Sequence, residues 1–186
     1  MRLFIAVNFP PEIKQKFMNC ITDLKKESKG HFTKPGNLHM TLVFIGETER
    51  TAEIIEAMNE AAAAVKSEQL RLELRALGRF KRPGESLVWV GGESDSLEEI
   101  QLLTASALEK RGFNIERKKW TPHVTLGRRV KFVRLKNDPE IDAYLKSFDI
   151  ILAAGFDGIC LMSSERENGD LVYREIYKVS VPYSNP

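Results

Sequence analysis

A chain of 186 residues that is 42% apolar and 29% charged, with a formal net charge of +2, has the balance of a soluble globular protein. That balance excludes a disordered or fibrous chain, and the small net charge excludes a protein that wraps duplex DNA along its length. The length suits one domain, or two small lobes sharing a core.

The opening run "RLFIAVNF" reads as a short strand, stopped by Pro10 and Pro11. It is too short to span a membrane and lacks a small-residue cleavage site, so a cytoplasmic protein without membrane attachment is expected. Ile13, Phe17, Ile21 and Leu24 then recur at helical spacing, with Pro11 in the first turn and Gly30 as the expected stop. "NLHMTLVFIG" is a strand closed by Gly46, and "TAEIIEAMNEAAAAVKS" a second helix.

"LRLELRAL" alternates strictly and predicts a strand with one wet face. "RFKRPGES" reads as the turn into a returning strand "LVWVGG". A third helix is expected through "SLEEIQLLTASALEKRG", with Ser96 and Glu99 as a capping box and Gly112 as the stop. "TPHVTLGRR" is again a strand, and "DPEIDAYLKSF" a short helix. "FDGICLMSS" and "LVYREIYKVSV" pair around "ENGD". Cys20 and Cys160 lack metal-ligand spacing and read as small core residues. Basic residues cluster in "RFKRPG" and again from "ERKKW" to "GRRVKF", around His123.

The chain contains a weak internal repeat: each half has a helix and then a strand bearing His-x-Thr. Strand alternation puts His39, Thr41 and Val43 on one face and Leu38, Met40 and Leu42 on the other. His123 and Thr125 likewise oppose Val124 and Leu126. Of three histidines, two carry a threonine at +2, an outcome that composition alone gives roughly half a percent of the time. Two imidazoles across one cleft suit acid–base chemistry near neutral pH, and the hydroxyls add donors for oxyanions. A phosphodiester fits such a site, with water deprotonated on one side of phosphorus and an alkoxide protonated on the other. His31, the third histidine, has no metal-ligand spacing to either motif, so no metal and no cofactor is expected. No GxSxG or local Cys/His pattern marks a nucleophile.

"LHMTLVFIGE" and "PHVTLGR" resemble the paired HxTx motifs of the 2H phosphoesterase superfamily. With "RLFIAVNFP" and the closing "LMSSE…LVYREI", the likeness is greatest to bacterial and archaeal RNA 2′,3′-cyclic phosphodiesterases, historically called 2′-5′ RNA ligases. The resemblance implies a single α+β domain over residues 1–186, bilobal and pseudo-symmetric, its two lobes interleaved. Two antiparallel sheets would line a central cleft, with helices on the outer faces. It also implies metal-independent hydrolysis of RNA 2′,3′-cyclic phosphate ends, or of small cyclic nucleotides, to 2′-phosphomonoesters. His39 would be the proton donor to the departing 3′ oxygen and His123 the acceptor that activates water. Thr41, Thr125 and Arg128 would hold the phosphate.

Arg128 sits on the wrong face by strict alternation, so the resemblance requires a bulge or strand end near Gly127, with Arg129 the substitute. Phe44 and Phe4 are expected to pack in the core. Many members of the family have a tryptophan before the first motif, where this chain has "HFTKPGN". A 2′-5′ joining activity on tRNA halves and a non-catalytic RNA-binding module are the rival readings. A monomer is expected because one chain would complete the cleft.

Overall fold

The computed structural model describes residues 1–67, 70–116 and 119–181. Arg117 and Lys118, in the second basic run, lie outside them. Strand β1 (Arg2–Asn8) leads into helix α1 (Pro11–Glu27), then β2 (Ser28–Phe32), a 3-10 turn (Pro35–Asn37), β3 (His39–Glu47) and α2 (Thr51–Ala64). The second half runs β4 (Leu70–Arg82), β5 (Glu85–Glu93), α3 (Asp95–Lys110), β6 (His123–Phe132), α4 (Asp138–Lys146), β7 (Leu152–Phe156), β8 (Gly158–Glu167) and β9 (Asp170–Ser180).

The strands follow the order β7-β4-β5-β6-β3-β1-β8-β9, with β2 also paired to β6, and every pairing is antiparallel. The two sheets expected on either side of a cleft meet at a single residue pair, Met40 opposite Val124. They are therefore continuous, because β3 and β6 touch at that one point. The strand β8, late in the chain, pairs with β1 and with β9, while β2, early in the chain, pairs with β6.

Each strand has two different faces. Leu3, Ile5 and Val7 of β1 join Phe17 and Ile21 of α1, Ile54 and Met58 of α2, and Val124 and Leu126 of β6 in one large cluster. Phe4 and Ala6, on the other face of β1, form a small separate cluster with Cys160 and Met162. The large cluster is the core beneath the helices, and the opposite face is the one that carries the histidines. No helix of the described residues is long and apolar enough to cross a membrane.

Several boundaries differ from the sequence reading, each for a local reason. Helix α1 ends at Glu27, and Gly30 belongs to β2. A Cβ at Gly30 would lie 2.9 Å from the Val130 Cα, so glycine here permits close approach of β2 to β6. The turn between β4 and β5 is only Pro83 and Gly84, since Arg79 to Arg82 continue the ladder opposite Val88 to Glu85. Helix α3 is capped by Ser94, whose hydroxyl accepts from the Leu97 amide at 3.0 Å, and not by Ser96. Ser96 instead accepts from the Arg71 amide, and Glu99 accepts from the Lys66 and Ser67 amides. Gly112 has φ +78°, the left-handed conformation anticipated for a helix stop. Strand β7 was not anticipated at all.

The β8–β9 hairpin turns on Asn168 and Gly169, with φ of 50° and 86°, as an Asn-Gly turn requires. Gly92 meets a different demand: a Cβ there would stand 2.0 Å from the Glu73 carbonyl oxygen. Gly92→Ala is expected to destabilise the protein by about 1–3 kcal/mol in urea unfolding. Gly36→Ala, where a Cβ meets nothing within 4 Å, is expected to be close to neutral.

Candidate active site

The Met40–Val124 bridge sets the site. In an antiparallel pair it places Thr125 across from His39 and Thr41 across from His123. On the register set by that bridge the two histidines lie on a diagonal, one on each strand. In a regular ladder that diagonal is about 7–8 Å between backbones, enough for a phosphate group between the rings.

Both imidazoles are oriented in the same way. The Nδ1 of His39 lies 2.7 Å from the Asn37 carbonyl, and the Nδ1 of His123 lies 2.8 Å from the Thr121 carbonyl. A carbonyl only accepts, so each Nδ1 carries the hydrogen, and in the neutral ring Nε2 is left as an acceptor. The His39 Nε2 accepts from the Thr41 hydroxyl at 3.0 Å. Asn37 is itself held by β9: its Nδ2 donates to the Leu171 carbonyl at 2.7 Å, and its Oδ1 accepts from the Tyr173 amide at 3.2 Å. The carbonyl that orients His39 is thus anchored to a neighbouring hairpin.

A bulge follows each motif. Opposite β1, Val43 pairs with Ile5 and Thr41 with Ala6, so Leu42 is the extra residue. Opposite β5, Gly127 pairs with Val88 and Thr125 with Trp89, so Leu126 is the extra one. A second irregularity between Ser86 and Val88 follows in β6, where Arg129 has φ +52°. The bulges reverse the alternation that follows. Val43 turns into the core and Phe44 turns out to 63% exposure. Phe44 was expected in the core, and the bulge at Leu42 is what overturns that. The same slip brings Arg128, five residues after its histidine as Phe44 is after His39, into the cavity that His39 and Thr125 line. Arg129 lines this cavity as well.

The bulges leave motif carbonyls to be satisfied from elsewhere. Trp120 donates its indole N–H to the Thr41 carbonyl at 3.1 Å, and Thr33 donates its hydroxyl to the Thr125 carbonyl at 2.8 Å. These bonds tie the segment entering each lobe to the opposite motif.

Aromatic rings flank both histidines. Phe4 is buried, as expected, but on the cleft side, with its ring 4.9 Å from His39; Tyr173 stands edge-on to His39 at the same distance. His123 meets Phe80 at 5.4 Å and Trp89 at 6.5 Å. The Trp89 indole lies across Gly78 and Gly91, where a Cβ at either would come within 2.4 Å of it. Sequence reasoning passed over Phe80, Trp89, Trp120 and Tyr173. The signal for Trp89 was present, since alternation in "LVWVGG" sets it opposite Val88 and Val90.

Burial, first of all, holds His39 down to about 4 from its ordinary 6.5; the Asn37 carbonyl works the other way, and the charges of Arg128, His123 and Lys14 add to the depression. His123 is lowered too, by burial foremost, opposed by the Thr121 carbonyl and assisted by Arg128. Two depressed imidazoles beside an arginine form a site whose charge suits an anion. Two openings flank it. One, of about 710 Å³, is lined by His39, Thr125, Arg128 and Tyr173; the other, of about 250 Å³ and mostly apolar, by Thr41, Phe44, Phe80, Trp120 and His123. Among the described residues no group of three or more His, Cys, Asp or Glu side chains is placed to hold a metal ion. His31 stands on β2 opposite Arg128, in the larger opening.

The model of the 2′-5′ RNA ligase superfamily matches residues 9–168. An RNA 2′,3′-cyclic phosphodiesterase of Archaeoglobus fulgidus is 32% identical over 152 residues, covering 80% of this chain and 81% of that one. The Escherichia coli protein of the same name is 29% identical over 127 residues, covering 67% and 70%. Among solved structures, TT0787 of Thermus thermophilus superposes with a TM-score of 0.76 at 23% identity over 100% of both chains. Escherichia coli LigT complexed with 3′-AMP gives 0.75 at 22% identity over 97% of both.

Proposed function

The chain belongs to the 2′-5′ RNA ligase superfamily, and from that membership and the cleft we propose that it hydrolyses RNA 2′,3′-cyclic phosphate ends to 2′-phosphomonoesters, with His39 and His123 as its acid and base. The observation that carries the reading is the matched pair of imidazoles, each fixed through Nδ1 by the carbonyl two residues before it, on either side of the Met40–Val124 bridge. The residues act as one domain of two interleaved lobes with the 2H phosphoesterase architecture. On this reading a monomer suffices, since every group the reaction needs comes from one chain.

The cyclic phosphate sits between the rings, its free oxygens taking hydrogen bonds from the Thr41 and Thr125 hydroxyls and the Arg128 guanidinium. His123 accepts a proton at Nε2 from water as the water oxygen forms its bond to phosphorus. The bond from phosphorus to the 3′ oxygen breaks in line with this attack. His39, protonated at Nε2, gives its proton to the departing 3′ oxygen. The 2′ ester remains. After turnover His123 holds the extra proton and His39 lacks one, and both exchange with solvent. No metal takes part in any of these steps. Joining ends through a 2′-5′ bond would run the same steps in the same direction, with a 5′-hydroxyl attacking phosphorus in the place of water.

Phosphorus NMR of the product of a nucleoside 2′,3′-cyclic phosphate tests the reading. The 2′-monophosphate is expected; a 3′-monophosphate, or no product, contradicts it.

The histidine shifts add a pH prediction. Free His39 is largely neutral at pH 7, so binding of the phosphodiester anion must be coupled to uptake of a proton from solvent at His39. For the free enzyme the acid is lost as pH rises and the base as pH falls, and both histidines lie below 6.5. The optimum of kcat/KM is therefore expected below pH 6.5. The optimum of kcat should lie higher, because the bound anion raises both imidazoles. Coincident optima above pH 8 would contradict this.

A further inference from the structure

We propose that the larger opening beside His39 holds a second anion subsite, made by Arg129 and Arg166 with His31 beside them, for the phosphate on the 5′ side of the terminal nucleotide. It would make the protein select RNA ends over cyclic mononucleosides. This rests on the reading above, which turns the ribose towards His39 by assigning that residue to the 3′ oxygen. The rest of the nucleotide, and the chain that precedes it, then extends into the opening of about 710 Å³ that His39 lines.

Three observations support the subsite. Arg128 and Arg129 are neighbours on a strand, which should send them to opposite faces, yet both line this opening. The exception is made by Arg129 at φ +52°, a conformation that a residue with a long side chain adopts at a cost and that concentrates at functional positions. Second, among the described residues no carboxylate pairs with Arg128, Arg129 or Arg166. Among the described residues the one acid lining the opening, Asp170, is taken by Lys34 at 2.7 Å. Arg128 is committed to the reacting phosphate, which leaves two guanidinium groups without a carboxylate partner lining the same space, Arg166 also donating to the Gly169 carbonyl at 3.3 Å. Third, the wall that presents Arg166 is held in place. The tip of the β8–β9 hairpin is tied across the opening by the Lys34–Asp170 pair and by the Asn37 bond to the Leu171 carbonyl. The opening on the His123 side offers mainly aromatic and aliphatic surface instead.

The test compares three substrates: a nucleoside 2′,3′-cyclic phosphate with a free 5′-hydroxyl, the same compound with a 5′-phosphate, and a dinucleotide ending in the cyclic phosphate. The second and third are expected to have kcat/KM about 10- to 100-fold above the first, as a charge-assisted contact supports. That advantage should shrink with added salt. In Arg129→Ala and in Arg166→Ala the ratio of the phosphorylated to the unphosphorylated substrate should fall towards one. Equal kcat/KM values in the wild type overturn the subsite, and so does a ratio that survives both substitutions. An advantage confined to the dinucleotide also overturns it, since contacts other than the phosphate would then be responsible. Calorimetric binding of a nucleoside 2′-monophosphate and of its 2′,5′-bisphosphate is measured in parallel. If no substrate turns over but the bisphosphate binds 10- to 100-fold tighter and Arg129→Ala removes the difference, the subsite stands and the hydrolytic reading falls. Equal binding overturns the subsite whatever the activity.

Discussion

His39→Ala and His123→Ala are each expected to lower kcat/KM for an RNA 2′,3′-cyclic phosphate by about 10²- to 10⁴-fold, the usual contribution of a positioned acid or base. The geometry gives neither residue a deputy. Each Nδ1 is committed to a carbonyl, at 2.7 Å for His39 and 2.8 Å for His123, so only Nε2 is presented to the cleft. His31, on β2 opposite Arg128, belongs to neither motif. The double variant should lose little more than the worse single one, because acid and base act on one displacement. Additive losses would mean that the histidines work in separate events.

Loss of fold can be told apart from loss of chemistry. Folded His39 is held to about 4 while an unfolded histidine titrates near 6.5, so the unfolded chain binds the proton first as pH falls. The wild type should therefore lose about 3 kcal/mol of stability as pH drops from 7 through 6.5 to 4, in addition to any other acid-sensitive groups. His39→Ala removes that contribution, and the variant should be no less stable than the wild type at pH 4 relative to pH 7. Inactivity with a retained, flatter stability profile is the expected combination.

Arg128→Ala is the second large effect, an expected 10²- to 10³-fold fall in kcat/KM, the cost of removing one donor from a developing oxyanion. Arg128 reaches the site only because Leu126 bulges out of the β5–β6 ladder. Arg128→Lys should recover little, since an ammonium lacks the planar fork that takes two phosphate oxygens together. A second signature separates this role from plain structural support. The Arg128 charge helps to hold both imidazoles down. Its removal should move the kcat/KM optimum to higher pH, because a protonated ring becomes easier to form. An unchanged optimum with full activity would place Arg128 outside the site.

The placement of the motif side chains was easier to read in the sequence than the strand irregularities around them. Strand alternation sets His39 with Thr41 and His123 with Thr125, and it holds in the structure because Met40, Leu42, Val124 and Leu126 each bury against the helices. It fails one residue later in both strands. A bulge depends on the partner strand's register, which no local pattern shows, so Phe44 emerges on the cleft face against expectation. Arg128 does so through the same kind of slip that the family likeness required. β2 was missed because "SKGHF" has no apolar alternation; its place is set by long-range pairing to β6 and by the glycine that lets the backbones approach. The Ser94 cap was missed in favour of Ser96 because two serines two residues apart offer the same chemistry. Only the aim of the Ser94 hydroxyl at the Leu97 amide decides between them. The aromatic wall around His123 comes from β4 and β5, where Gly78 and Gly91 provide a flat bed for Trp89.

Dialysis of the purified protein against a strong chelator, followed by turnover of an oligonucleotide ending in a 2′,3′-cyclic phosphate, tests the central claim most directly. Unchanged conversion to the 2′-phosphate, abolished in His39→Ala and in His123→Ala, is the expected result. Activity that vanishes on chelation and returns with added divalent metal would contradict a reaction carried by two histidines.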